Sequence, residues 1–260
     1  MKNVIYYFSG TGNSLKVAKE IAAGLPDCEV ISVSSSNPKM PDQETERIGF
    51  VYPTYGAGLP HMMAKFVCDM DFTNISKQNM YVFAVATCGY FPLNAVRDLP
   101  TLLRLKGFLL SYGSAVRMPE NYILMFNRPA NAEEILKNSE APIRRITSAV
   151  LKKETMKKIG KPIPLFRLFH LIFMNGIKKT ANKYTVSDAC TGCGQCVKLC
   201  PSGNISLTDG KPVFGTECEA CMACIQHCPV RAINHKKDLS RKERYVHPEI
   251  TAEEMMEKNR

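Results

Sequence analysis

Tryptophan is absent from all 260 residues, so no indole is available to stack on a flat ligand. No secretory leader is expected either. Met1-Lys2-Asn3-Val4-Ile5-Tyr6 runs directly into a strand-like stretch, without the charged, apolar and small-residue regions of a secretory signal. No apolar run is long enough to span a bilayer, and the longest candidate, 165–174, is interrupted by Arg167 and His170. Nucleotide signatures are also lacking. Gly10 and Gly12 are followed by Leu15 where a dinucleotide fingerprint places its third glycine, and no Gly-Lys-Ser/Thr follows as in a Walker loop. NAD(P)H would therefore have to act through a partner. These absences point to a reducing cytoplasm, where cysteines serve as metal ligands rather than disulfides.

Cysteine is abundant. Eight of the eleven fall in two matching runs, Cys190-Thr191-Gly192-Cys193-Gly194-Gln195-Cys196-Val197-Lys198-Leu199-Cys200-Pro201 and Cys218-Glu219-Ala220-Cys221-Met222-Ala223-Cys224-Ile225-Gln226-His227-Cys228-Pro229. Structural zinc uses separated cysteine pairs, which these repeated runs of four do not resemble. The spacing suits 4Fe–4S clusters, with three thiolates of a run on one cluster and the fourth on the other. Cys28, Cys68 and Cys88 lie outside the runs, where a free thiol is expected to pack as a small apolar residue. Strand-like segments flank each run: Tyr184-Thr185-Val186 and Ile205-Ser206-Leu207, then Lys211-Pro212-Val213-Phe214 and Ala232-Ile233. Residues 184–235 resemble a bacterial-type two-cluster ferredoxin. On that reading Cys190, Cys193, Cys196 and Cys228 hold one cluster, and Cys218, Cys221, Cys224 and Cys200 the other.

The N-terminal part alternates apolar strands (4–8, 29–33, 48–52, 81–86 and 109–116) with helical stretches (13–24, 60–69 and 93–106). That pattern predicts an α/β fold, a parallel sheet covered on both faces. Ser9-Gly10-Thr11-Gly12-Asn13-Ser14, between the first strand and helix, offers free N–H groups and a helix N-terminus to an anion. The segment resembles the phosphate loop of flavodoxins, and the likeness extends more weakly to about residue 120. It implies a doubly wound flavodoxin-like sheet with bound FMN, and Ser9, Thr11, Gly12, Asn13 and Ser14 as phosphate contacts. Two further loops are then expected beside the flavin: Pro53, Thr54, Tyr55, Gly56, Ala57 and Gly58 after the third strand, and Thr87, Cys88, Gly89 and Tyr90 after the fourth. Glycine would permit close backbone approach, and tyrosine would stack on the ring. Two features depart from flavodoxins, the missing tryptophan and the missing acidic surface.

The formal net charge is +10, and residues 129–184 hold most of it, with 12 Lys/Arg against 4 Asp/Glu. Domain boundaries are expected at 1–130 (FMN domain), 131–183 (basic helical connector), 184–235 (two-cluster domain) and 236–260 (a polar, loosely held tail). The connector reads as a helix over 132–159, carrying Lys152, Lys153, Lys157 and Lys158, then Gly160, Pro162 and Pro164, then an apolar helix from Leu165. That second helix is expected to bury its aromatics between the domains. The alternative is contact with a membrane surface through 165–183, with Lys178, Lys179 and Lys183 nearby. The whole chain resembles flavodoxin–ferredoxin fusion proteins of anaerobes. The resemblance implies an electron-transfer protein relaying single electrons between soluble redox proteins and FMN through two 4Fe–4S clusters. An alternative is an FMN-dependent oxidoreductase reducing a quinone or similar acceptor, with His61 and Cys88 the nearest acid–base candidates. Nucleic acid is not an expected partner, because bound clusters and FMN phosphate would offset part of the positive charge.

Overall fold

The computed structural model describes residues 2–34, 38–72, 75, 80–157, 159–177, 179–236 and 238–259. Lys158 and Lys178 of the expected basic connector lie outside the described residues.

Five parallel strands form the main sheet: β1 (Asn3–Tyr7), β2 (Cys28–Ser32), β3 (Arg47–Pro53), β4 (Tyr81–Cys88) and β5 (Tyr112–Arg117). Their order is β2-β1-β3-β4-β5. This is the doubly wound flavodoxin-like order, with its switch point between β1 and β3. The central strands β1 and β4 are buried along their whole length, which explains why they read as continuous apolar runs rather than alternating ones.

Helices α1 (Asn13–Ala23) and α4 (Ala132–Leu151) cover one face, where Leu15, Ile21, Ile143 and Val150 meet Ile5, Tyr7 and Val85. Helices α2 (His61–Asp69) and α3 (Ala95–Leu105) cover the other, where Met63, Val67 and Leu99 meet Tyr6, Phe50 and Ala84. The first half of the expected connector therefore belongs to the sheet domain. α4 also ends eight residues before the predicted 159. Arg47, buried on β3, donates to the terminal carbonyls Val150 O (3.2 Å) and Leu151 O (2.9 Å) and to Asn3 Oδ1 (3.1 Å). Lys153 then turns into the left-handed region at φ 52°. A cation on a helix's last carbonyls is a favourable stop, and here it comes from a residue about a hundred positions away.

The second connector helix, α5 (Pro164–Ile177), leads to a small domain of two antiparallel pairs. β6 (Tyr184–Val186) pairs with β9 (Ile233–His235), and β7 (Ile205–Thr208) with β8 (Lys211–Phe214). Short helices α6 (Gln195–Leu199) and α7 (Ala223–Gln226) occupy equivalent places in the two halves. The repeat extends to the backbone. Gly192 (φ 71°) and Gly194 (φ 72°) correspond to Ala220 (φ 47°) and Met222 (φ 64°). The second run keeps the left-handed turns without glycine, at a cost of order 1–3 kcal/mol for each.

The tail is not loosely held. Tyr245, His247, Ile250 and Met255 are buried, and α8 (Ala252–Lys258) closes the chain, capped by Thr251 Oγ1 accepting from Glu254 N at 3.1 Å. Ile250 and Met255 join the core shared with α1 and β1. Lys16–Glu249 and Lys19–Glu254 pairs line its edge. The polar composition of this segment conceals the strap, because only a few widely spaced apolar side chains, Leu239, Tyr245, Ile250 and Met255, are buried.

Candidate functional site

The cysteines of the small domain gather in two crossed groups. Cys190, Cys193, Cys196 and Cys228 line one small cavity, closed by Leu207, Pro212 and Ile233. Cys200, Cys218, Cys221 and Cys224 line another, beside Tyr184, Phe214 and Met222. In each group three cysteines come from one run and the fourth from the other, because each run's last cysteine lies beyond its short helix. Burial pushes the Cys221 and Cys224 thiols well above the ordinary range, and Cys196 up to about 11. Iron binding would have to displace those protons. Among the described residues no three His, Cys, Asp or Glu side chains are placed to hold a single metal ion; the thiols are spread around voids.

One residue outside the runs bears on this centre. Arg244, in the strap, has all three guanidinium nitrogens buried without a hydrogen-bond partner. Cys228 and Cys224 are close enough to act on its charge, although burial and Arg231 outweigh them and lower its pKa. A buried cation without acceptors is costly. A nearby anionic cluster would offset part of that cost, and the four thiols of each group are the donor set such a cluster requires, so the residues present fit it.

A larger cavity of about 290 Å³ opens at the carboxyl ends of the sheet strands. Its walls include 53–57 after β3, 87–91 after β4, 118–122 after β5, and Phe169, Phe173 and Ile177 of α5. Ala220 and Cys221 of the second cysteine run complete it. Thr54 Oγ1 is buried without a partner at this wall. Burial raises the Tyr55 hydroxyl well above its ordinary pKa and Cys88 to about 11, so both stay protonated.

Glycines in these loops serve a different neighbour from the one expected. A Cβ on Gly56 would lie 2.2 Å from Phe173, and one on Gly58 would lie 2.6 Å from His170. Both make room for α5, and His170 Nδ1 lies 2.8 Å from Tyr55 O. Gly89 likewise faces Glu120.

The predicted phosphate loop also differs from expectation. Of Ser9, Thr11, Gly12, Asn13 and Ser14, only Asn13 lines the cavity. Ser9 Oγ accepts from Gly12 N at 3.0 Å, and Ser14 Oγ lies 2.8 Å from Thr87 Oγ1. Thr11 Oγ1 accepts from Asn121 Nδ2. Asn13 donates to Pro119 O at 3.1 Å and accepts from the Tyr245 hydroxyl at 2.6 Å. His247 N donates to Thr11 O at 2.8 Å, and Ile250 blocks the space beside Gly12. Thr11 and Asn13 are thus held by the strap and the β5 loop, Ser14 by β4 and Ser9 within the loop itself. Gly10 has its own constraint: a Cβ there would lie 2.1 Å from Cys221 O.

Several expected roles change. His61 lies 3.1 Å from Glu219 Oε1, whose other oxygen accepts from Met62 N at 3.3 Å, so it ties α2 to the second cysteine run and does not line the cavity. Cys88 is buried as expected, but Cys28 is only partly so and Cys68 is exposed. Cys68 falls on the outer side of α2, while its neighbours Phe66, Val67 and Met70 are buried against the sheet. The sequence reading missed the 118–126 segment and the strap residues Arg244, Tyr245 and His247. The rule that ligands sit beyond the carboxyl ends of strands marks the loop after β5; no comparable signal marks the strap.

Residues 182–229 match the family model of a 4Fe–4S dicluster domain. No curated protein matches the chain. Among solved structures, a mutant Fusobacterium nucleatum flavodoxin bound to flavin mononucleotide is 22% identical, covering 60% of this chain and 98% of that one, with a TM-score of 0.40. Megasphaera elsdenii flavodoxin is 18% identical over 55% of this chain and 98% of its own, with a TM-score of 0.36. An FMN-dependent NADH-azoreductase from Bacillus anthracis is 10% identical over 58% and 100%, with a TM-score of 0.40. The chain therefore joins a sheet with the flavodoxin-like strand order to a region, 182–229, that matches a 4Fe–4S dicluster domain.

Proposed function

We propose that the chain is an electron-transfer flavoprotein in which FMN occupies the sheet-end cavity and two 4Fe–4S clusters occupy the two four-cysteine groups. The observation that carries this reading is the double role of Cys221, which lines both the second cysteine group and the larger cavity. FMN exchanges electrons singly or in pairs, whereas each cluster carries one, so their pairing converts between the two. Asn13, Thr54 and Tyr55 would orient the flavin, with the orphan Thr54 hydroxyl gaining a polar partner. Phe173 and Ile177 would exclude water from the cavity side facing α5. Ser9, Thr11, Gly12 and Ser14 would shape the loop around the phosphate rather than touch it with their side chains, and the strap would cover it. Arg244 would offset the charge of the cluster at Cys228.

Anaerobic purification tests the reading by iron, sulfide and flavin content. About eight irons and one FMN per chain are expected. Colourless protein, or zinc in place of iron, overturns it.

A second reading is that the cavity also reduces a small apolar acceptor such as a quinone. The observation favouring it is the apolar mouth, where Tyr90 and Phe91 stand 65% and 72% exposed. Acceptor-dependent turnover by the full chain, driven by reduced ferredoxin, would distinguish enzyme from carrier.

A further inference from the structure

α5 is apolar on two sides, and only one is used. His170, Phe173 and Ile177 form the inner stripe against the β3 loop and the cavity, continued along the helix by the half-buried Phe166. The outer stripe repeats at the same helical spacing: Leu165 is 71% exposed, Leu168 57%, Phe169 55% and Ile172 65%. This departs from the expectation that the helix buries its aromatics between the domains: Phe166 and Phe173 are half-buried, and Phe169 is exposed. Phe169 also lines the cavity, so the outer stripe continues onto the cavity mouth, where Tyr90, Phe91, Met125 and Phe126 are exposed. Exposed apolar surface gathered around a pocket marks an interaction site rather than ordinary scatter.

Cationic groups outnumber the acidic ones beside this surface, where Glu120 lines the cavity and Asp98 lies under α5. Arg167 projects from α5 and has only a 3.8 Å pair with the largely covered Asp98. Arg117 lies over the Tyr90 ring, 5.5 Å from its centroid. Lys161 and Lys179 flank the helix and are exposed. Residues 129–184 carry the net excess of eight positive charges. Apolar side chains on one outer helix face and on loop tips, ringed by Lys and Arg, are the features of an element that lies in a membrane interface. No helix among the described residues is long and apolar enough to cross a bilayer.

We infer that α5 and the cavity mouth dock on an anionic lipid surface. Insertion of Leu165, Leu168 and Ile172 to the acyl boundary would remove them from water. Arg167, Lys161 and Lys179 would meet the headgroups, each strengthening binding severalfold at low salt.

The test uses full-length protein carrying its cofactors, floated with phosphatidylcholine vesicles with or without phosphatidylglycerol. Flotation with the anionic vesicles is expected, weakened by salt. L168E/I172E should weaken it by about tenfold or more, and Arg167→Glu by roughly fivefold. Both variants change exposed positions, and unchanged visible absorbance checks that their cofactor sites are intact. Absence of flotation at low salt, or undiminished flotation of L168E/I172E, overturns the inference. So does concentration-dependent self-association without vesicle binding that L168E/I172E abolishes, which assigns the face to a second copy of the chain.

Discussion

The sheet domain and the cysteine domain are held together by different means. The sheet has a full apolar layer on each face, built from α1 and α4 on one side and α2 and α3 on the other. The cysteine domain buries few large side chains, and its apolar cluster is completed by Ile123, Ile177 and Leu239 from outside it. Four of its cysteines pack against that cluster. A unit so small depends on metal–thiolate bonds and borrowed contacts for its stability. Stability should therefore divide along the same line: the sheet survives loss of iron, and the cysteine domain does not.

Removing a ligand breaks the comparison most severely. Cys193→Ala should lower iron content from about eight to about four per chain. Hydrogen exchange should rise over residues 184–235 while the central strands stay protected. Equal loss of protection in β1 and β4 would show that the two regions do not fold separately. Arg47→Met tests the other side. It removes two bonds that stop α4 and join it to β3, and a third to Asn3 on β1. A loss of about 3 kcal/mol in urea denaturation is expected, with iron content unchanged.

The strap spans both regions, so Ile250→Ala sharpens the division. Truncating this buried side chain should cost about 2–4 kcal/mol, and flavin should dissociate faster because Gly12 loses its cover. Arg244→Leu should leave folding nearly intact and lower the potential of one cluster by roughly 60 mV, since loss of a nearby cation disfavours reduction. Potentiometric titration followed by electron paramagnetic resonance would measure it; an unchanged potential places the guanidinium away from the cluster.

The smallest effect concerns pH. Burial depresses His247 to about 4 from its ordinary 6.5. The folded state therefore favours neutral imidazole, and the contribution is complete above pH 6.5. It is lost as pH falls from 6.5 towards 4. His247→Gln should flatten this part of the stability profile, as followed by thermal melts at successive pH values.

What could be read from sequence follows locality. The two cysteine runs carry their own ligand chemistry, and the crossed grouping follows from spacing alone. The five strands announce themselves by continuous apolar character. The sheet-end cavity is harder to read because its walls come from six separate segments. Thr54, Tyr55 and Asn121 lie where the strand-end rule places them, but Phe173 depends on long-range packing. The phosphate loop illustrates the limit. Its sequence announces an anion site, while Tyr245 and His247, more than 230 positions away, decide which groups face inward. The end of α4 fails for the same reason, because Arg47 supplies its stop.

The contact between Gly10 and the carbonyl of Cys221 has one more consequence. The turn that begins the sheet domain's first crossover abuts the loop bearing a thiol of the second group, with no room for even a methyl between them. With cofactors placed as proposed, the two cavities would share a wall at Cys221. Charge would then pass without either half swinging towards the other, leaving the pace of the molecule to its encounters with the proposed outside partners.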